Sequence, residues 1–345
     1  MKSSAHQLNY LYDEWTQIFE QLCQQEKFIT DGSITLNQYL TIYFSNAKNF
    51  LSPIVFEKYD RIISKYISPL FGAMSIREIK PIHIQCFINL LCQMEYSGST
   101  VRRYYTILQS IMRSAYKLGV ILDNPADNRR ITLPVIAEKE TEIFTPEEVK
   151  VMFDFLENEP LKLKLLIHLA INTGCRRGEL VALKWSDLDF STGIVTVSRS
   201  NYKLKGEKIQ SKSTKSNKIR RIVLSSYCIS LLKQHQKEQA NDKISCDDWI
   251  FTQSNGNPMY PTTPTLQFSR FLKKYNLPHK KFHSLRHTSA TLLLINGNDI
   301  KSVGQRLGHT QIKTTNRYVH AVAAADKKAA NTFEAMFGTY DSKNI

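Results

Sequence analysis

The sequence predicts a mainly α chain with a small antiparallel β-sheet, arranged as a helical domain followed by a mixed one. Apolar residues recur at helical spacing through residues 34–130 and again beyond Ser225, while strand-like patterning is confined to residues 193–224. The length of 345 residues also exceeds what one hydrophobic core usually supports, so two domains are expected.

In chain order, residues 1–33 form a short N-terminal segment without an assigned role. Residues 34–130 hold four amphipathic helices. Tyr39, Leu40, Tyr43 and Phe44 mark the first. Phe56, Tyr59, Ile62, Ile63, Tyr66 and Ile67 mark the second, which Pro69 is expected to end. The third covers 81–91 and the fourth 101–118, after which Asn124-Pro125 breaks the pattern. Residues 131–143 mix Pro134 with Glu138, Lys139 and Glu140 and show no periodicity, as an exposed linker does. Thr145-Pro146-Glu147-Glu148 then combines a threonine N-cap, a proline at the first helical position and a glutamate three residues after the cap. This capping box opens the second domain with a helix. An apolar helix follows over 161–172. Strands are expected at 193–197, 208–215 and 221–224, forming one antiparallel sheet. Helices resume at 225–239, 265–275, 283–295 and 299–307, and again around Tyr318. The second domain spans 144–337 and closes with a helix, leaving 338–345 as a tail.

Charge narrows the choice of partner. The formal net charge of +15 is distributed as −3 over residues 1–33, +6 over 34–134 and +12 over 135–345. A positive field on both domains suits a clamp around a polyanion. No apolar run approaches the roughly 20 residues that span a bilayer, and the N-terminus lacks a basic-then-apolar leader. The expectation is a cytoplasmic, nucleoid-associated protein with no membrane partner. Cys23, Cys86, Cys92, Cys175, Cys228 and Cys246 are scattered without a Cys-x-x-Cys pair. They read as reduced thiols, with neither a zinc site nor a disulfide framework. Phosphate-cradling glycine loops are also missing, so no nucleotide cofactor is expected.

The residues that could carry chemistry lie mostly in the last third. His283 and Arg286 are three apart on a helix and share a face. His309 follows Gly308, a glycine placed to stop the preceding helix and aim the imidazole at a turn. Tyr318 comes nine residues later, after Thr314-Thr315. Taken singly, His283 and Arg286 read as a solvated polar stripe and Tyr318 as half-buried packing. Upstream, Arg176-Arg177 occupies a turn bracketed by Gly174 and Gly178, with Glu179 placed to hold the Arg176 guanidinium by a charge-assisted bond. The stretch 208–221 is strongly basic, either a hairpin that grips phosphates or one that supplies a catalytic lysine. Two imidazoles, guanidinium groups and a phenol, with no cluster of carboxylates, suit a phosphodiester better than a metal or an acyl group.

Set in order, TGCRRGEL, TKSNKIRRIVL, HSLRHTSATLLL, LGHT and TTNRYVH resemble the motifs of the tyrosine recombinase (phage integrase) family. The resemblance covers residues 34–335. It implies a SAM-like core-binding domain at 34–130 joined to a mixed α/β tyrosine-recombinase catalytic domain. It also implies roles: Arg176 and Arg286 bind the scissile phosphate, His283 and His309 hydrogen-bond it and assist proton transfer, Lys215 protonates the departing 5′ oxygen, and Tyr318 is the nucleophile. Lys212 and Lys218 stand close enough to Lys215 to compete for its place. His287 reads as structural, and Trp185 and Asp187 as packing.

The physical logic of such a set is that charge grows on the nonbridging oxygens during attack. Guanidinium forks and imidazole donors stabilise it there, each worth about 10²–10³ in rate. Tyrosine, with an ordinary pKa of about 10, needs that cationic neighbourhood to lose its proton. One phosphoester replaces another, so neither metal nor ATP is implied. The expected partners are double-stranded DNA at attachment or core sites, further copies of the chain in a homotetramer on that DNA, and host- or element-encoded DNA-bending and directionality factors. The implied activity is site-specific integration and excision of a phage or mobile element. A chromosome-dimer resolvase of the same family, a type IB topoisomerase and a non-catalytic DNA-binding protein are the alternatives. The alanine-rich stretch 321–337 is expected to form a helix that packs on a neighbouring protomer or on its own domain.

Overall fold

The structure, a computed structural model, describes residues 34–136, 142–213, 219–241 and 248–308. The N-terminal segment 1–33 and the expected closing helix at 321–337 lie outside the described residues. The chain divides into two units, one ending at Lys139 and one starting at Glu140.

In the first unit, Thr35 caps helix α1 (Leu36–Lys48) through a capping box with Gln38. Leu36, Tyr39, Leu40, Tyr43 and Ala47 make its buried stripe. Pro69 does not end the second helix. Helix α2 (Pro53–Ile62) passes into a π-helical turn, Ile63–Ile67, and then into a last α-turn, Ser68–Phe71. The Ser68 N–H reaches back five residues to the Ile63 carbonyl. Helical geometry then restarts with Pro69 near its N-terminus, where a missing N–H costs nothing. Helices α3 (Pro81–Gln93) and α4 (Gly98–Lys117) complete the set. The core is filled by side chains such as Ile63, Ile67, Ile84, Leu108 and Met112, each worth about 1.5–3 kcal/mol when fully buried. Two tyrosines bury their rings and satisfy their hydroxyls on α4: Tyr39 donates to Ser114 Oγ at 2.8 Å and Tyr43 pairs with Ser110 Oγ at 3.0 Å. Past α4 the chain stays attached, with Ile131 in the core and the Pro134 carbonyl accepting from Arg102 Nε at 3.0 Å.

The second unit opens as its capping box predicts. Thr145 caps helix α5 (Pro146–Leu156), accepting from the Glu148 N–H while the Glu148 carboxylate accepts from the Thr145 N–H. Helix α6 (Leu161–Thr173) is the central element. Leu165 to Ala170 are consecutively buried, which an amphipathic surface helix could not be. Short helix α7 (Arg177–Leu180) follows. Strands β1 (Leu188–Asp189), β2 (Ile194–Val197), β3 (Arg199–Tyr202), β4 (Gln210–Ser213) and β5 (Arg220–Val223) come next. They form two sheets where one was expected: β1-β2-β5, and β3 paired with β4. The unforeseen strand β3 is polar. Its inward residue Asn201 is held by hydrogen bonds, donating to the Val181 carbonyl and accepting from Ser211. Helices α8 (Ser226–Asn241), α9 (Thr263–Lys274), α10 (Ser284–Ile295) and α11 (Ile300–Leu307) close the unit. Both α8 and α10 pack on α6. Among the described residues, no helix is long and apolar enough to cross a membrane.

Candidate active site

The end of α6 sets the position of everything around it. Gly174 terminates the helix in the left-handed region, at φ +62°. A Cβ there would stand 2.3 Å from Leu307 Cδ2 and 3.3 Å from Ser289 Oγ, so α10 and α11 both close tightly on this turn. The Gly174 carbonyl accepts from Arg286 Nη1 at 2.7 Å, which fixes the guanidinium of a residue that is 3% exposed. Arg176, two residues on, is the N-cap of α7 in extended conformation and is half-buried.

Glu179 holds Arg176 as its spacing predicts. Its Oε2 accepts from the Arg176 N–H and its Oε1 from Arg176 Nη1, both at 2.9 Å. The sequence did not show that the same Oε2 also accepts from Arg220 Nη2 at 2.5 Å. Arg220 reaches inward because β2 and β5 pair with Val197 opposite Arg220 and Val195 opposite Ile222, so 220 and 222 face the core while 221 and 223 face out. Burial alone would raise the Glu179 pKa. The hydrogen bond and charge of Arg220, followed by those of Arg176, outweigh it and hold the carboxyl below its ordinary value. Gly178 permits this arrangement, since a Cβ there would come within 2.8 Å of the Asn201 carbonyl on β3.

His283 occupies the N-cap position of α10 in an αR conformation without a side-chain capping bond, with Arg286 one turn on. His283 is exposed as a residue. Desolvation by neighbouring atoms, then the charges of Arg286, Arg176 and Arg177, nevertheless hold its pKa below the usual histidine value. Arg176 and Arg286 thus lie close enough to His283 for their charges to bear on the imidazole. His287 stands edge-on to His283, with ring centroids 4.7 Å apart.

Helix α11 is capped by Asp299, which accepts from the N–H groups of Lys301 and Ser302, and is stopped by Gly308 at φ +72° as its place in the sequence predicts. Arg306 ties it down by donating to the Asn172 and Val223 carbonyls. His309, Tyr318 and Lys215 lie outside the described residues, as does Lys218. Lys212 is on β4, where its ammonium sits 5.2 Å from the centroid of the Tyr202 ring. Of the sequence-predicted residues, the structure therefore brings Arg176, His283 and Arg286 together. It adds Arg220, whose signal was the strand alternation at the end of the basic run. Arg220 also lines a cavity of about 410 Å³ with Arg221, Ser302, Gln305 and Arg306. Among the described residues, no group of three His, Cys, Asp or Glu side chains could hold a metal ion.

Known families account for this architecture. Residues 142–324 match the model of the phage integrase family, and residues 35–92 that of the phage integrase N-terminal SAM-like domain. The chain belongs to the phage integrase family. A tyrosine recombinase XerC-like protein of Caldanaerobacter subterraneus subsp. tengcongensis is 32% identical to this integrase-family chain over 310 residues, covering 83% of it and 78% of the relative. The ICEBs1 integrase of Bacillus subtilis is 28% identical over 324 residues, covering 90% and 86%. The Tn1549 transposon integrase, solved with a circular intermediate DNA, matches the fold with a TM-score of 0.73 at 21% identity, over 86% of this chain and all of that one. As a tyrosine recombinase, the protein is an enzyme that cleaves and rejoins DNA at specific sites for a mobile element.

Proposed function

We propose that Arg176, His283 and Arg286 bind the scissile phosphate, and that Tyr318 attacks it with the help of His309 and Lys215. The observation that carries this reading is the convergence of Arg176, His283 and Arg286 from two separate elements, with Glu179 fixing the first and the Gly174 carbonyl the last. Two guanidiniums anchored to the protein are donors already oriented for the charge that develops on a pentacovalent phosphate. Packing and the neighbouring guanidiniums favour the neutral form of His283, which donates one N–H without adding a charge that must be desolvated.

The Tyr318 oxygen forms a bond to phosphorus while the bond from phosphorus to the 5′ oxygen breaks. The phenol proton passes to a nearby base, His309 in this assignment, and the leaving 5′ oxygen takes a proton from Lys215. The products are a 3′-phosphotyrosine and a free 5′-hydroxyl, and the reverse attack by a different 5′-hydroxyl rejoins strands. Exchanging two duplexes requires four cuts, and one nucleophilic tyrosine per chain makes four protomers the working unit. The positive charge carried by residues 34–134 and by residues 135–345 suits each to a DNA backbone, within the cytoplasm and with DNA-bending or directionality factors shaping the longer complex.

The test is a nicked suicide duplex taken from the DNA flanking the protein's own gene, incubated with wild-type protein and with Arg176→Ala, His283→Ala and Arg286→Ala. The wild type is expected to form a covalent adduct, and each variant to form it about 10²–10³ times more slowly. Variants that form adduct at the wild-type rate refute the assignment.

A further inference from the structure

We propose that Arg220 is a positioning residue for Arg176, acting through Glu179 and resting on the phosphate-binding reading above. Glu179 is 1% exposed and Arg220 7%, so a buried Arg–Glu pair also holds the half-buried Arg176. Such triads are poor devices for stability, because apolar residues of the same volume often replace them without loss. Arg220 also leaves its Nε and Nη1 without partners among the described residues, a further cost. Its value therefore lies in what it does to Glu179.

That effect is geometric and electrostatic. Oε2 of Glu179 is occupied by Arg220 Nη2 and by the Arg176 N–H, which leaves Oε1 alone for the Arg176 side chain. Arg176 is consequently gripped at Nη1, with its Nε and Nη2 edge left to form a fork on a phosphate. Without Arg220 the carboxylate is free to turn and take Arg176 in a two-bond grip of its own. The charge balance points the same way. Glu179 alone would neutralise Arg176, whereas a second guanidinium on the same carboxylate leaves the three groups with a net positive charge for the ligand. The place of Arg220 supports the coupling, since it lies five residues after Lys215 and its Nη1 would stand 3.1 Å from a Cβ at Gly308, next to His309.

The experiment measures single-turnover cleavage of the suicide duplex by the full chain carrying Arg220→Met, Arg220→Lys, Arg176→Met and the 176/220 double methionine change. Each is run on the ordinary scissile phosphate and on a methylphosphonate, which is neutral. Duplex binding is followed in a Tyr318→Phe background, and melting temperature is recorded. R220M is expected to bind DNA like the parent yet cleave about 10–100 times more slowly, the scale of a loss in positioning. R220K should recover part of the rate, because an ammonium can still hold Oε2. The double variant should cleave no more slowly than R176M, since one acts through the other. On the methylphosphonate the R220M defect should shrink, because the charge that Arg176 serves is gone.

An R220M rate equal to wild type, a defect equal on both substrates, or a double variant whose losses multiply would each overturn the proposal. If R220M does not fold, R220K carries the same comparison between the two substrates. A wild-type protein that forms no adduct refutes the phosphotyrosine reading itself. A wild type that cleaves beside an R220M that cleaves equally refutes this inference alone.

Discussion

Replacing Gly174 with alanine tests whether the end of α6 sets the site. The added Cβ must adopt φ +62°, which costs a side-chain-bearing residue about 1–2 kcal/mol. It would also meet Leu307 Cδ2 at 2.3 Å. Leu307 is fully buried against Ala290 and Val303, so it cannot swing aside freely, and overpacking of this kind adds about 1–3 kcal/mol. The total is about 2–5 kcal/mol, or a fall in melting temperature of roughly 4–20 °C for a unit of this size. Gly206 is the control, with φ +79° and nothing within 4 Å of its would-be Cβ. Gly206→Ala should show the backbone cost alone, about 1–2 kcal/mol. Thermal unfolding followed by circular dichroism reads both variants, and adduct formation should fall for G174A because its carbonyl anchors Arg286. A G174A protein as stable as G206A would refute the claim that α10 and α11 close tightly on this turn.

Glu179→Gln keeps the shape of the carboxylate but leaves two guanidiniums without their anion, and should cost about 3–5 kcal/mol by denaturant unfolding. Its depressed pKa also has a pH signature. The stability that ionised Glu179 contributes is present above the unfolded carboxyl value and is lost as pH falls through the lower folded value, so the acid limb of the stability curve should flatten in E179Q. His168 is stacked on Phe153 with ring centroids 4.0 Å apart, and burial pushes its pKa down to about 4. The unfolded chain binds the proton first, so stability should fall as pH drops from about 6.5 towards 4, by about 3 kcal/mol in all. His168→Phe should remove that slope, and an unchanged slope would refute the assignment. Thr145→Ala deletes the cap of α5 and should cost about 1 kcal/mol, read from the denaturation midpoint.

Much of the site was legible because its signals are local. The capping box at Thr145, the stop at Gly308 and the three-residue spacing of Arg176 and Glu179 each depend on neighbours within one turn. What the sequence hid depends on pairing at a distance. Arg220 looks like one more member of a basic run until β2 supplies the register that turns it inward. Strand β3 escaped notice because Asn201, its buried residue, is polar and satisfied by Val181 and Ser211 instead of being apolar. Pro69 misled for a related reason. Proline stops a regular α-helix, but the π-turn at Ile63–Ile67 had already shifted the hydrogen-bond ladder by one residue.

The central claim is that Tyr318 carries DNA in a covalent bond at a phosphate held by Arg176, His283 and Arg286. Digesting the wild-type adduct with nuclease and trypsin and mapping the nucleotide-bearing peptide by mass spectrometry tests it directly. The modified peptide should begin at Tyr318, immediately after Arg317, with the nucleotide remnant on that tyrosine. A remnant on any other residue, or an adduct that persists in Tyr318→Phe, would contradict the account.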